Sequence, residues 1–217
     1  MFQQIFLLLK KEFKLEWRQK FAINGLLLYL GGVLMVIYIA FIKADSQLWV
    51  TLYWIVMLFT AINAVAKSFM LENKNRYLYY YSLSHPVAII FSKIIYNTLL
   101  MLLLGFLCWG FYTLILGNPV HQVLWFIISI ILGSISISFL LTMMSAIASK
   151  ANNNSTLMAI LSFPVLIPVM LLLIKITLLS LDINMNDFPL QDVLMLSLLD
   201  IVLLMLAYIL FPYLWTE

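Results

Sequence analysis

Residues 123–148 read VLWFIISIILGSISISFLLTMMSAIA, an unbroken stretch without a charged side chain. A helix needs about 20 apolar residues to cross about 30 Å of hydrocarbon, so this stretch is long enough for one transmembrane helix. The chain contains other stretches of this kind, and together they predict six spans. In chain order the predicted spans are Phe21–Ile42, Leu48–Phe69, Val87–Leu116, Val123–Ala148, Thr156–Leu179 and Val193–Leu214.

The composition agrees with a membrane protein. Of the 217 residues, 65% are hydrophobic and 10% are charged, whereas soluble domains have about 45–50% and about 25%. The mean hydropathy of +1.09 argues against an ordinary soluble enzyme, a disordered segment and a nucleic-acid binder. Unpaired backbone groups are not tolerated in lipid, and the alternating pattern of barrel strands is missing from the sequence. We therefore expect an all-α integral membrane protein with one domain over residues 1–217.

Lysine and arginine are distributed unevenly between the two sides of the predicted membrane. With a cytoplasmic N-terminus, only Lys43 and Lys175 lie outside, and the other basic residues lie on the cytoplasmic side. Cytoplasmic loops carry the excess of Lys and Arg, so both termini are predicted to be cytoplasmic. The cytoplasmic set is Lys10, Lys11, Lys14, Arg18, Lys20, Lys67, Lys74, Arg76, Lys93 and Lys150.

The first residues, MFQQIFLLLKKEFKLEWRQK, carry their charges after the apolar part and end without a small-residue cleavage site. A secretory signal peptide has the opposite order. On a helix, Lys10, Lys14 and Arg18 share one face, so residues 1–20 predict an amphipathic helix at the cytoplasmic interface of the lipid bilayer. The alternative is a charged lead-in to the first span. The predicted apolar face consists of Phe2, Ile5, Phe6, Leu9, Phe13 and Trp17.

The largest predicted cytoplasmic loop is residues 67–86, KSFMLENKNRYLYYYSLSHP. Tyrosine and arginine are enriched where proteins meet partners, which favours a short helix within residues 71–86 that docks on a cytoplasmic subunit. An aromatic belt is an equally good interpretation, because tyrosines also settle at membrane interfaces without any partner. The candidate docking residues are Glu72, Arg76, Tyr77, Tyr79, Tyr80 and His85.

Four residues inside the predicted spans are unusual for a lipid environment. Pro164 and Pro168 each remove a helix donor, so we expect the fifth span to be bent or interrupted there and to act as a hinge. Asp200 is expensive in lipid unless it is paired. Its expected partner is Lys175, at a similar depth, or a subunit contact near Ser197. Lys175 alone would extend its ammonium towards the interface.

Catalytic and metal-binding motifs are missing from the sequence. It has no GxxxxGK[ST], GxSxG or HExxH pattern, and its single cysteine, Cys108, excludes a disulfide framework. His121, in a predicted outer loop, is the one candidate for a haem ligand. A lone loop histidine is far more often a simple polar residue, so we expect no catalytic, cofactor-binding or metal-binding residue in this chain.

Three motifs resemble the haem exporter protein B family of cytochrome c maturation (CcmB). The first residues fit its pattern MFxxIFxLxxKEFK, and SLSHPVAIIFSK supplies Leu83, Pro86 and Lys93 in the turn that enters span three. The sequence PVLIP, from Pro164 to Pro168, follows the polar loop KANNNS and fits the Pro-x-x-Ile-Pro of span five. The resemblance covers nearly the full length, although RYLYYYSL replaces an acidic LEQL-type stretch of the family.

The resemblance implies a permease of the type-two ABC exporter class, with an interfacial helix, six spans and a cytoplasmic coupling segment. It implies a homodimer in the bacterial inner membrane that binds two copies of an ABC ATPase and works with a haem-handling membrane protein and a haem chaperone. The complex would handle haem and ATP, and this chain would bind neither. The alternatives are an ABC permease for lipid, drug or polysaccharide, and a membrane scaffold or channel without an ATPase.

Overall fold

The computed structural model describes residues 2–18, 20–41, 45–65, 85–150, 155–182 and 189–216. Within these ranges the chain is helical, and the predicted all-α fold class is confirmed. The helices are α1 (Phe2–Arg18), α2 (Lys20–Ala40), α3 (Ser46–Val65), α4 (Pro86–Leu116), α5 (Val123–Lys150), α6 (Ser155–Leu179) and α7 (Leu190–Thr216).

The helices α3 to α7 are long and apolar enough to cross a membrane. Their bounds follow the predicted spans closely, because each helix satisfies its own backbone hydrogen bonds wherever the apolar stretch continues. In α2 the qualifying apolar stretch, Asn24–Ala40, is shorter. Five spans are therefore supported by length and composition, and a sixth on α2 stays a prediction. The helix predicted over residues 1–20 is present as α1, and its position at a membrane interface also stays a prediction.

Of the predicted bend or interruption of the fifth span, the interruption is wrong, and a bend stays a prediction. Helix α6 is continuous from Ser155 to Leu179 and contains both Pro164 and Pro168 in its interior. Both prolines lie on its exposed side. Leu166, between the prolines, and Val169, which follows Pro168, are buried in the core. Proline is tolerated in membrane helices when neighbouring helices hold the chain, and this packing explains the continuity. The hinge role of the two prolines stays a prediction.

Helix α5 lies at the centre of the bundle and packs against α3, α4, α6 and α7. Its buried face carries small side chains, including Gly133, Ser134, Ser136 and Ser138. Small residues let membrane helices approach closely, so this face accounts for the central position of α5. The approach is close at Gly133, where the indole of Trp54 occupies the space that a side chain would need.

A buried aromatic cluster fills the end of the bundle where α4 ends and α5 begins. The Trp49 ring meets Tyr112 edge-on, with centroids 4.9 Å apart, and stacks parallel to Tyr53 at 6.0 Å. Phe126 packs against Trp49 and Tyr53 at 5.8 and 5.6 Å. These large rings bury much apolar surface and fix the relative positions of α3, α4 and α5 at this end.

Candidate functional site

The predicted docking segment is described only at its C-terminal end. His85 is exposed and directly precedes Pro86, which begins α4. Proline is favourable in a first helical turn because its missing N–H has no intrahelical partner anyway. The docking segment is thus joined to α4 through a single described residue. The remaining candidates, which lie outside the described residues and whose role stays a prediction, are Glu72, Arg76, Tyr77, Tyr79 and Tyr80.

Helix α1 packs on the helix bundle. Its inward-facing residue is Leu8, which the predicted apolar face did not include, and Phe13 meets the Tyr96 ring edge-on with centroids 5.2 Å apart. Phe6 and Phe13 remain largely exposed, so only part of the predicted apolar face is left to contact lipid. The buried cluster around Leu8 contains Ala88, Ile89, Ile90, Ile94, Met143, Ala146, Ala207 and Phe211.

An ion pair joins α1 to α4 beside this cluster. The Lys93 ammonium lies 3.5 Å from Glu12 Oε1, and the side chains are 1% and 13% exposed. The same Glu12 oxygen lies 3.4 Å from Lys11 Nζ. No partner was predicted for Lys93, although a cation within an apolar stretch is a signal that a partner is needed.

Asp200 is buried and contacts α5. Its Oδ2 accepts a hydrogen bond from Ser136 Oγ at 2.9 Å, and its Oδ1 has no hydrogen-bond partner among the described residues. The predicted pairing of Asp200 with Lys175 is therefore wrong. The contact with Ser136 joins α5 to α7 near the middle of both helices, and it satisfies one of the two carboxyl oxygens.

Lys175 pairs instead with Asp192, in the first turn of α7, with Nζ and Oδ1 2.8 Å apart. The lysine side chain is 65% exposed, as expected for a lysine that extends towards an interface. Asp192 is favoured there because negative charge is stabilised at a helix N-terminus. This partly buried ion pair therefore links the end of α6 to the beginning of α7.

Hydrogen bonds between side chains also join α4 to α5. Asn97 Nδ2 donates to Thr142 Oγ1 at 2.8 Å, and Thr98 Oγ1 lies 3.0 Å from Ser138 Oγ. This pairing of the third and fourth predicted spans was not predicted. Isolated Asn97 within a long apolar stretch was the available signal, because a buried amide in lipid needs a partner.

The histidines and the cysteine do not come together. His85 precedes α4 and His121 follows it, and both are exposed, whereas Cys108 is buried within α4. In the part of the chain that the structure describes, no three His, Cys, Asp or Glu side chains form a group that could hold a metal ion. His121 accordingly belongs to no such group among those residues.

The spanning-length helices and the polar contacts between them define a multi-pass membrane protein. The family model of the CcmB protein matches residues 3–213, nearly the whole chain, and the chain belongs to this family. The family membership makes it a membrane component of the haem export and cytochrome c maturation system, in which it works with other components. Comparison with curated proteins finds no match, and comparison with solved structures finds none either.

Proposed function

We propose that this chain is the permease subunit of an ABC transporter complex that serves cytochrome c maturation. The observation that carries the proposal is the match of the CcmB family model over residues 3–213. The complex either exports haem or uses ATP to release a haem-loaded chaperone, and this chain is its membrane-spanning part. A separate ATPase subunit hydrolyses the ATP, and this chain has no catalytic residue, cofactor or metal of its own.

In this proposal the chain has six spans in the bacterial inner membrane and both termini in the cytoplasm. Helix α2 is the first span, since its 21 residues from Lys20 to Ala40 would cover the hydrocarbon. The concentration of Lys and Arg on one side supports the orientation. Helix α1 then lies at the cytoplasmic interface, with the exposed Lys10 and Lys14 available to anionic lipid headgroups.

The cytoplasmic contact with the ATPase is assigned to residues 71–86, which combine tyrosines with Arg76 and lead directly into α4. Two copies of this chain form a homodimer that binds two ATPase copies. The haem-handling membrane protein and the haem chaperone complete the complex. Membership of the CcmB family supports this assembly, and the direct connection to α4 gives a route by which ATPase movement would reach the bundle.

Affinity purification of the tagged chain, followed by mass spectrometry, tests the proposal. We expect an ABC ATPase and cytochrome c maturation proteins to co-purify, and we expect deletion of the chain to abolish cytochrome c maturation. Purification of the full-length chain without any ATPase would overturn the permease role. Co-purification with an ATPase but normal cytochrome c in the deletion strain would overturn the assigned pathway.

The docking segment is tested by replacing Tyr79 and Tyr80 together with Ala. We expect loss of ATPase co-purification, or loss of coupling between ATP hydrolysis and cytochrome c maturation, at normal levels of membrane-inserted protein. The matched control replaces Tyr38 and Tyr208, two exposed tyrosines on α2 and α7, in the same way. An equal effect of both double variants, or no effect of either, would contradict the docking assignment.

Haem export and chaperone release are separated by examining the chaperone when the ATPase subunit is inactive. If the complex exports haem, the chaperone remains without haem. If it releases the chaperone, haem-loaded chaperone accumulates on the haem-handling membrane protein. The absorption spectrum of the purified chaperone and its distribution between membrane and soluble fractions distinguish the two.

A further inference from the structure

Lys93 is a buried cation, with 1% of its side chain exposed. It lies about two turns into α4, and its ammonium faces Glu12 Oε1 of α1 at 3.5 Å. Taking both charges out of water is unfavourable, so each strongly requires the other. Removing the Glu12 carboxylate would take a negative charge away from the buried ammonium, so the ion pair favours the position of Glu12 beside α4.

Apolar contacts on both sides of the ion pair fix the same arrangement. Leu8 precedes Glu12 by one helical turn, so both side chains lie on one face of α1. Leu8 packs against the first turns of α4, in the cluster that includes Ile90. Phe13 meets Tyr96, which lies about one turn after Lys93 on α4. Helix α1 therefore lies along the first three turns of α4.

This part of α4 directly follows the docking segment. Pro86 begins the helix, and Lys93 lies between Pro86 and Tyr96 in the portion that α1 covers. A movement of residues 71–86 would reach these turns first, because a helix transmits displacement along its rigid backbone. The α1 contact is thus placed where such a movement enters the bundle.

We infer that the Glu12–Lys93 ion pair makes α1 and the start of α4 one mechanical unit, so that α1 moves with α4 when the ATPase acts on residues 71–86. Glu12 and Lys93 are positioning residues for coupling, and neither contacts ATP or the transported species. This inference rests on the proposed function. It adds that α1, beyond any contact with lipid, is part of the coupling apparatus.

The test compares Glu12→Gln with the charge-swapped variant Glu12→Lys/Lys93→Glu in the full complex. We expect Glu12→Gln to lower cytochrome c maturation per complex by roughly tenfold, because loss of this ion pair would loosen the contact between α1 and α4. ATPase co-purification should persist, since the docking segment is unchanged. The charge-swapped variant should recover most of the lost maturation, because it restores an ion pair at the same place.

The matched control is Gln3→Ala, which replaces a polar side chain at an exposed position of the same helix and should leave maturation unchanged. Equal activity of Glu12→Gln and wild type would overturn the inference. A charge-swapped variant as defective as Glu12→Gln, at equal amounts of folded complex, would also overturn it. Failure of the proposed function is seen separately, since the wild-type chain would then purify without an ATPase.

Discussion

Replacing Gly133 with Ala should force α3 and α5 apart, because Trp54 occupies the space beside this glycine. A Cβ added at Gly133 would overlap Trp54 Cη2 and lie 2.5 Å from Trp54 Cζ3 and 3.2 Å from Leu173 Cδ2. The indole cannot easily move aside. It is 1% exposed, its Nε1 donates to Thr177 Oγ1 at 2.9 Å, and its ring meets Tyr53 edge-on at 5.4 Å.

The size of the effect follows from a comparison with Gly110→Ala. A Cβ at Gly110, in the interior of α4, meets nothing within 4 Å. Both substitutions gain roughly 0.5–1 kcal/mol from replacing glycine within a helix, and this gain cancels between them. The remaining difference is the overpacking cost at Gly133, about 1–3 kcal/mol. For a chain of this size, each kcal/mol corresponds to roughly 2–4 °C in the unfolding midpoint.

The assay is the apparent unfolding temperature of the detergent-purified protein at a fixed heating rate. We expect a lower value for Gly133→Ala and an unchanged or higher value for Gly110→Ala. Trp54→Phe removes the ring atoms that conflict with the new methyl group, so Gly133→Ala should be less damaging in that background than in wild type. Equal temperature shifts for the two alanine variants would refute this account of the α3–α5 contact.

Three further predictions concern the polar and proline residues of α6 and α7. Asp200→Asn keeps an acceptor for Ser136 and should leave the unfolding temperature unchanged. Asp200→Ala removes this partner and should lower the free energy of unfolding by about 1–3 kcal/mol. Equal temperature shifts for the two variants would contradict the Ser136 contact. Lys175→Gln should change stability by at most about 1 kcal/mol, because the lysine side chain is 65% exposed and Asp192 keeps its favourable place at the helix N-terminus; a larger loss in the same assay would contradict this. Replacing Pro164 and Pro168 together with Ala restores two helix donors, and should reduce cytochrome c maturation more than protein abundance if the pair is a hinge. A parallel fall of both, measured by haem staining and immunoblotting, would indicate a structural role.

Helix positions could be predicted from the sequence because they depend on local apolar length. The predicted span Val87–Leu116 is α4 from Pro86 to Leu116, and Thr156–Leu179 is α6 from Ser155 to Leu179. In lipid, each helix must satisfy its own backbone, so an apolar stretch defines its own bounds. Continuity across the prolines was not predictable in this way, because the packing of Leu166 and Val169 against neighbouring helices maintains it.

The partners of the charged residues could not be predicted from depth alone. The estimate that paired Lys175 with Asp200 placed the start of the last span at Val193, but α7 begins at Leu190 and includes Asp192 in its first turn. Asp192 lies about 12 Å nearer the α6–α7 connection than Asp200, at 1.5 Å per residue, and takes the lysine. Depth does not determine which way a side chain points around the helix axis, and Asp200 points towards Ser136.

The central position of α5 depends on directional contacts that composition does not reveal. Lipid is as apolar as leucine, so burial alone gives membrane helices little reason to choose one neighbour over another. Three neighbours of α5 make different polar contacts at different depths: Thr142 with Asn97 of α4, Ser136 with Asp200 of α7, and Ser145 with the Val65 carbonyl of α3. Sliding any one of these three helices by a turn would break its bond. We therefore expect α3, α4, α5 and α7 to move together during an ATP-driven cycle.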